Sequence, residues 1–306
     1  MHAFRTISHV GAVCAIILAC VGPSLAQDLI PERRLVLTDN TDLPGGDLQS
    51  IFDTTLEACE RACLTNPSCT AFTFNTLKGA CFPKSAPGAA TPFNGALSGF
   101  VLNAEAQAAT RAKTRLVELN FVQSWELPGI VQQAETLANA HVTGPYSAEE
   151  HFQSAFDAEA MGDPIAASRF LGAGLNLTDA ANDWAEYSRL LYAAGQADEN
   201  NRRSYHEQSY FAAVNAYLRA DNPALQHTIL VQMGQALETI ERGRDTVQAL
   251  RLAQALQPRD DTAAALDAAA GLYGFRILAT DVQADSARPR ICVGFSEDLV
   301  KTGVDY

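Results

Sequence analysis

Four cysteines within 23 residues, Cys59, Cys63, Cys69 and Cys81, constrain this chain more than any other feature. The unit around them, residues 28–103, is too short to bury a comfortable apolar core by itself. Two cross-links of roughly 2–4 kcal/mol each offset that deficit by restricting the unfolded chain. Cys59 and Cys63 are one helical turn apart, so both thiols leave the same face of a helix. Cys69 follows a short turn, and Cys81 sits in a strand-like stretch. The expected result is a helix pinned to a small sheet. Sequence alone permits three pairings. The competing use of four thiols is a zinc site, but the cluster contains no histidine and an oxidising compartment favours disulfides.

The compartment is legible at the start of the chain. A basic opening, Met1 to Arg5, leads into an apolar run from Val10 to Val21 and then the small-x-small triplet Ser24-Leu25-Ala26. Residues 1–26 therefore read as a signal peptide cleaved after Ala26. A second reading takes Ile17-Leu18-Ala19-Cys20 as a lipobox, with Cys20 lipidated and membrane attachment only in that case. An uncleaved N-terminal helix is the third. Either export route places the protein in the periplasm or outside the cell. No later apolar stretch is long enough to span a bilayer. Arg5 is the one charged side chain of the leader, so its removal takes the net charge from -13 to -14. Such an acidic surface repels phosphate backbones and anionic lipid heads, which argues against nucleic-acid and membrane-surface binding.

Within residues 28–103, turns are expected at Leu43-Pro44-Gly45-Gly46, Asn66-Pro67 and Lys78-Gly79. Thr54-Thr55-Leu56-Glu57 matches a capping box with Thr54 as N-cap. Leu56, Cys59 and Cys63 then share one helical face. Thr70–Asn75 alternates and predicts a strand with Phe72 and Phe74 on its apolar side. Ala80–Phe82 and Ser98–Leu102 are further expected strands. Residues 104–278 are helix-forming throughout, with Ala104–Arg115 read as a helical linker. An internal similarity appears at an offset of 81 residues: Gly162 with Gly243, Ala166 with Val247, Leu171 with Leu252, Leu175 with Leu256, Asp179 with Asp260. Each copy reads as helix, turn, helix, with turns at Asn176–Asp179 and Gln257–Asp260. The pattern loosely resembles tetratricopeptide-like pairs; plain alanine-rich hairpins fit nearly as well. Phe275–Leu278 and Pro289–Phe295 read as short strands, the second within residues 279–306. An isolated strand pair is marginal in water, so we expect a fragment cut inside a third, β-sandwich domain. The fold class is thus multidomain α+β: a disulfide-stapled module, an all-α repeat segment, and the truncated start of a β domain.

The run Thr54–Lys84 resembles the PAN/Apple family. Cys59, Cys63, Cys69, Ala71, Phe72, Phe74 and Cys81 fill that family's helix, strand and cysteine positions. The resemblance implies nested bridges, Cys59–Cys81 outside Cys63–Cys69, and protein or carbohydrate binding without catalysis. The terminal bridge of fuller Apple domains is missing. Arg288–Tyr306 is similar to the opening of the macroglobulin-like region of bacterial alpha-2-macroglobulins, which implies a periplasmic protease trap with proteases as partners. No Cys-x-Glu-Gln occurs, so no thioester chemistry is implied in these residues.

Catalytic signatures are missing, and no enzyme, cofactor or metal is expected. His206-Glu207 begins a zinc-protease pattern, but Tyr210 occupies the second histidine position, leaving a helix-surface pair. Gly172-Ala173-Gly174 lacks a dinucleotide site's third glycine and reads as helix packing. Trp125, Trp184, Tyr187, Tyr192, Tyr205, Tyr210, Phe211 and Tyr217 read as core, with a groove as the alternative. Asn176-Leu177-Thr178 fits a glycosylation acceptor at a turn. Cys292 stands alone, as a buried free thiol or one that pairs with a cysteine beyond Tyr306.

Overall fold

The computed structural model describes residues 29–138, 142–143, 146–285 and 288–296. The signal peptide, the lipobox cysteine and residues 297–306 lie outside that range. The chain is α+β: a small disulfide-bonded sheet module comes first, then a run of helices, then a short strand pair.

The module has strands β1 (Arg33–Asp42), β2 (Ala71–Asn75), β3 (Ala80–Lys84) and β4 (Thr91–Asn103), with helix α1 (Leu56–Thr65) across it. A two-residue strand from the helical part, β5 (Val142–Thr143), joins the same sheet, in the order β3-β2-β4-β1-β5. β5 runs parallel to β1, pairing with Thr38 and Asp39; the other pairs are antiparallel. β1 carries no turn signal and only a short apolar run, Leu35–Leu37, and was not expected from its sequence. β4 begins at Thr91 rather than Ser98.

β2 corrects a simple expectation. Ala71, Phe72, Thr73 and Phe74 are all buried, because β2 lies between β3 and β4 with both faces covered. On one face Phe72 and Phe74 join Leu35, Leu37, Leu97 and the cysteines of α1. Gly99 permits this packing: a Cβ there would lie 2.4 Å from the Phe72 ring. On the other face the Thr73 and Ser98 hydroxyls are 2.8 Å apart. Ser98 donates to the Thr41 carbonyl at 2.8 Å, and Thr73 accepts from the Leu43 amide at 3.1 Å. The polar residues of the alternation are buried and satisfied, which removes the usual desolvation penalty.

The cap of α1 is one residue later than expected. Thr55, not Thr54, accepts from the Ala58 amide, at 3.3 Å. Thr54 instead donates its amide to the Gly79 carbonyl. Glu57 binds its own amide and the Thr55 hydroxyl, and these hold its carboxyl below the ordinary value. Asn66 ends the helix, as the Asn-Pro pair predicts.

The helices are α2 (Ala108–Glu118), α3 (Leu127–Ala138), α4 (Ala148–Ala160), α5 (Pro164–Thr178), α6 (Ala181–Ala197), α7 (Arg202–Arg219), α8 (Pro223–Thr239), α9 (Gly243–Leu256) and α10 (Asp260–Tyr273). From α4 to α10 each packs on the next. α7 is the core helix, buried almost all round from Ser209 to Arg219. It touches α2 and α3 as well as α6 and α8. α2 is therefore no linker. Its Ala108 and Ala112 are buried in one cluster with Leu29, Ile30, Tyr210 and Tyr217. α6 and α7 approach closely at Ser188 and Ser209, whose hydroxyls each donate to the other's backbone carbonyl at 2.8 Å. The sequence similarity maps α5–α6 onto α9–α10, but α5 continues to Thr178, and the turn falls at Asp179 and Ala180.

Beyond α10, β6 (Ile277–Gln283) and β7 (Arg290–Phe295) form an antiparallel pair. Ile277, Leu278, Val282, Ile291 and Val293 on them are exposed. Cys292 is exposed and unpaired rather than buried.

His206 corrects the surface reading of its pair. It is 1% exposed, stacked on Tyr192 at 4.8 Å, and its Nε2 accepts from the Gln196 amide at 3.3 Å. Gly195 makes room for the ring; a Cβ there would lie 2.6 Å from it. Burial first, then the Arg202 charge, lowers the His206 pKa below its ordinary 6.5, although the Tyr192 backbone opposes this.

Two outcomes follow from this packing. Cys59→Ser or Cys81→Ser should destabilise the sheet module by roughly 2–4 kcal/mol. Differential scanning calorimetry of the full chain, with and without reductant, checks it; the unreduced variant, which keeps Cys63–Cys69, should place its first transition between those of the oxidised and the reduced wild type. Second, a histidine held neutral stabilises the fold above its unfolded pKa and loses that contribution as pH falls below 6.5 toward the lowered folded value. Urea denaturation at pH 7.5 and 5.5 should show a loss on acidification that His206→Gln reduces.

Candidate binding surface

The staple decides what the module can present. Cys59 is bonded to Cys81 and Cys63 to Cys69, the nested pairing that the family resemblance implies. All four sulfurs are thereby consumed, which removes the zinc alternative. The outer bond ties α1 to β3. Arg33 locks the other end of the helix: its guanidinium donates to the carbonyls of Leu64, Asn66 and Cys69. This satisfies carbonyls that a helix C-terminus leaves open.

β3 is the end strand of the sheet, yet its edge is not free. Residues 46–51 run beside it, with Leu48 donating to the Pro83 carbonyl at 2.8 Å and Ile51 exchanging backbone bonds with Cys81. This cover protects an edge that would otherwise recruit another strand. It also carries apolar side chains outward. Phe52 is 65% exposed and meets half-buried Phe82 edge-to-face at 6.3 Å. Leu48 is 39% exposed on the same cover segment. Beneath them Lys84 is buried, paired with Asp47, with its ammonium 5.9 Å from the Phe82 ring centre. Exposed Leu77 stands in the turn between β2 and β3, beside Gly95 of β4, and exposed Phe93 lies further along β4. Sequence reasoning missed Phe52 and Phe82 as a surface; no pattern marks them, because the cover along β3 brings them together.

A second construction joins the module to the helices. Arg34 of β1 donates to the Asn176 side-chain and backbone oxygens at 2.9 and 2.5 Å. Asp179, in the left-handed turn after α5, accepts from Arg219 Nε at 2.9 Å and from the Trp184 indole at 2.8 Å, and lies 3.9 Å from Arg34 Nε. The Arg219 guanidinium sits 5.0 Å over the Trp184 ring. Burial, and after it the Arg219 charge, lowers the Arg34 pKa, with Asp179 opposing. A parallel anchor lies at Glu126, 3% exposed, which binds Arg242 and the Gln123 amide.

The remaining sequence-derived candidates separate cleanly. Asn176 is buried in the last turn of α5 and holds Arg34, so no glycan fits there. Gly172 and Gly174 do serve helix packing, against Leu137, Tyr187 and the Phe152 ring. Trp184, Tyr210 and Tyr217 are core, while Trp125 is exposed. Tyr187 and Tyr205 line an open cleft with Ser168 and Gln208. Burial, with a smaller effect of Tyr205, pushes the Tyr187 phenol up to about 12. His206 and Glu207 gather no second metal ligand, and among the described residues no three His, Cys, Asp or Glu side chains form a cluster fit for a metal.

With this geometry in place, the comparisons are specific. Residues 41–84 match the PAN domain family. That span holds both disulfides, α1, β2 and β3, and PAN domains generally mediate protein or carbohydrate binding. No curated protein matches the chain. The second resemblance, at Arg288–Tyr306, receives no support from these comparisons.

The joint yields a prediction. Asp179→Asn leaves Arg34 and Arg219 facing each other without their shared counter-charge, so about 3 kcal/mol of stability should be lost. Phe52→Ser should change stability by less than about 0.5 kcal/mol, since its ring is mostly in water. Chemical denaturation of the two variants checks both.

Proposed function

We propose that this chain is an exported, non-catalytic binding protein whose PAN module captures a protein partner on the Phe52–Phe82 face. The observation that carries the reading is the exposed aromatic pair on a scaffold cross-linked directly beneath it. A rigid apolar patch loses little entropy when a partner covers it, and aromatic side chains dominate interface energetics. Export is supported by the leader pattern and by the two disulfides, which persist in oxidising compartments. The helical run, read as tetratricopeptide-like hairpins, extends the scaffold and offers a second surface. Of the two recognition modes of the family, protein fits the patch better than carbohydrate, because Phe52 and Phe82 bring no donors for sugar hydroxyls. The protease-trap reading rests on no structural observation and is set aside.

A photo-crosslinking side chain at position 52, introduced into the full chain in its native cells, should form protein adducts that a probe at exposed Glu149 does not. Phe52→Ser should weaken binding of the captured partner about tenfold, in the range of a hot-spot truncation. Glycan-array binding without adducts would transfer the reading to carbohydrate, and neither signal in an oxidised sample would end it. Protein recovered from the periplasm should begin at Gln27.

A further inference from the structure

Where the sheet module meets the helices, a cavity of about 220 Å³ has mostly apolar walls. Leu35 of β1 and Leu64 of α1 stand on the module side. Val131 and Leu137 of α3, Leu175 of α5 and Trp184 of α6 stand on the helical side. Leu35, Val131, Leu175 and Trp184 are buried, and Leu64 and Leu137 are half-buried. The volume exceeds the roughly 150 Å³ at which an engineered apolar cavity stays dry and takes up benzene. Concave apolar sites between two units of a chain are common places for small ligands.

The polar groups on these walls are already engaged. Arg33 donates to the carbonyls at the end of α1. Arg34 and Arg219 are held by oxygens of Asn176, Asp179 and Asn215, and the Trp184 indole donates to Asp179. Among the described residues, no buried side-chain polar atom of these walls lacks a partner. The charges balance as well: Arg33, Arg34 and Arg219 are matched by Glu60, Glu135 and Asp179. An ion entering the cavity would upset that balance. A sugar would bring hydroxyls that find no open partner, and both carry a desolvation cost.

From these features we infer that the cavity binds a compact, uncharged apolar molecule of one or two rings, seated between Leu35 and Leu64 on one side and Val131, Leu137, Leu175 and Trp184 on the other. Apolar walls supply the affinity, and a rigid ring system loses little conformational freedom on entering. The occupant touches β1 and α1 as well as α3, α5 and α6, so it bridges the module and the helices. Because it binds the joined form, it raises the melting temperature of the chain. The site is separate from the Phe52 face and does not depend on the proposed partner.

The test is isothermal titration of the oxidised full chain with toluene, indole, indole-3-acetate and tryptamine. Saturable binding is expected for toluene and indole, with the anionic and cationic relatives of indole about tenfold weaker or more, since each brings a charge the walls do not match. Trp184 emission in a Trp125→Phe background should shift as toluene, which is dark at the tryptophan excitation wavelength, saturates. Ala134 also lines the cavity, on α3. Ala134→Leu fills it and should abolish indole binding while holding or raising the melting temperature. Thr136→Leu, the same kind of change at an exposed position of α3 outside the cavity, should bind indole like the wild type. The inference is overturned if neither neutral probe saturates, if indole-3-acetate or tryptamine binds as tightly as indole, if toluene saturates without moving Trp184 emission, or if folded Ala134→Leu binds indole like the wild type.

Discussion

The nested pair of sulfur bonds is the constraint on which the first half of the structure depends. Cys59 and Cys63 leave α1 one turn apart and are captured from two directions, by β3 and by the short loop at Cys69. A ten-residue helix with little apolar surface of its own has no other strong reason to stay on a small sheet. Once it is held there, Phe72, Phe74, Leu35 and Leu37 have a cover, and β2 can be buried on both faces. The cover segment along β3 then has a fixed strand to pair with, and the Phe52–Phe82 face is a consequence of that pairing.

The module is not simply tethered to the helices. Leu29 and Ile30 lie in the helical core, β5 of the helical part extends the sheet at β1, and Arg34 reaches Asn176 and Asp179. The shared carboxylate of Asp179 is well suited to this role because its turn conformation, with φ of 53°, ends α5 and turns the side chain toward both arginines. Ion pairs at a partly buried joint favour one orientation over others more than they add net stability.

How much of this was legible depends on the range of the interactions. The staple, the helix end at Asn66 and the glycine packing in α5 follow from neighbours in sequence, and their residues announced them. The capping-box pattern fits Thr54, but Thr55 takes the role, because the Thr54 amide bonds Gly79, 25 residues away. His206 and Glu207 look like a surface pair on α7 alone, but α6 brings Tyr192 and Gln196 over the ring. Asn176 reads as a turn residue until Arg34, 142 positions earlier, is placed against it.

The sequence by itself determined the disulfide module, its PAN character and the helical nature of residues 104–278, because cysteine spacing, capping and helix propensity act over a few residues. Tertiary structure alone decided that α2 is core rather than linker, that β2 is covered on both sides, which apolar side chains stay in water, and which arginines share the Asp179 carboxylate. Those outcomes depend on which distant surfaces meet, and burial and Coulomb energies are set by that meeting rather than by the residues one at a time.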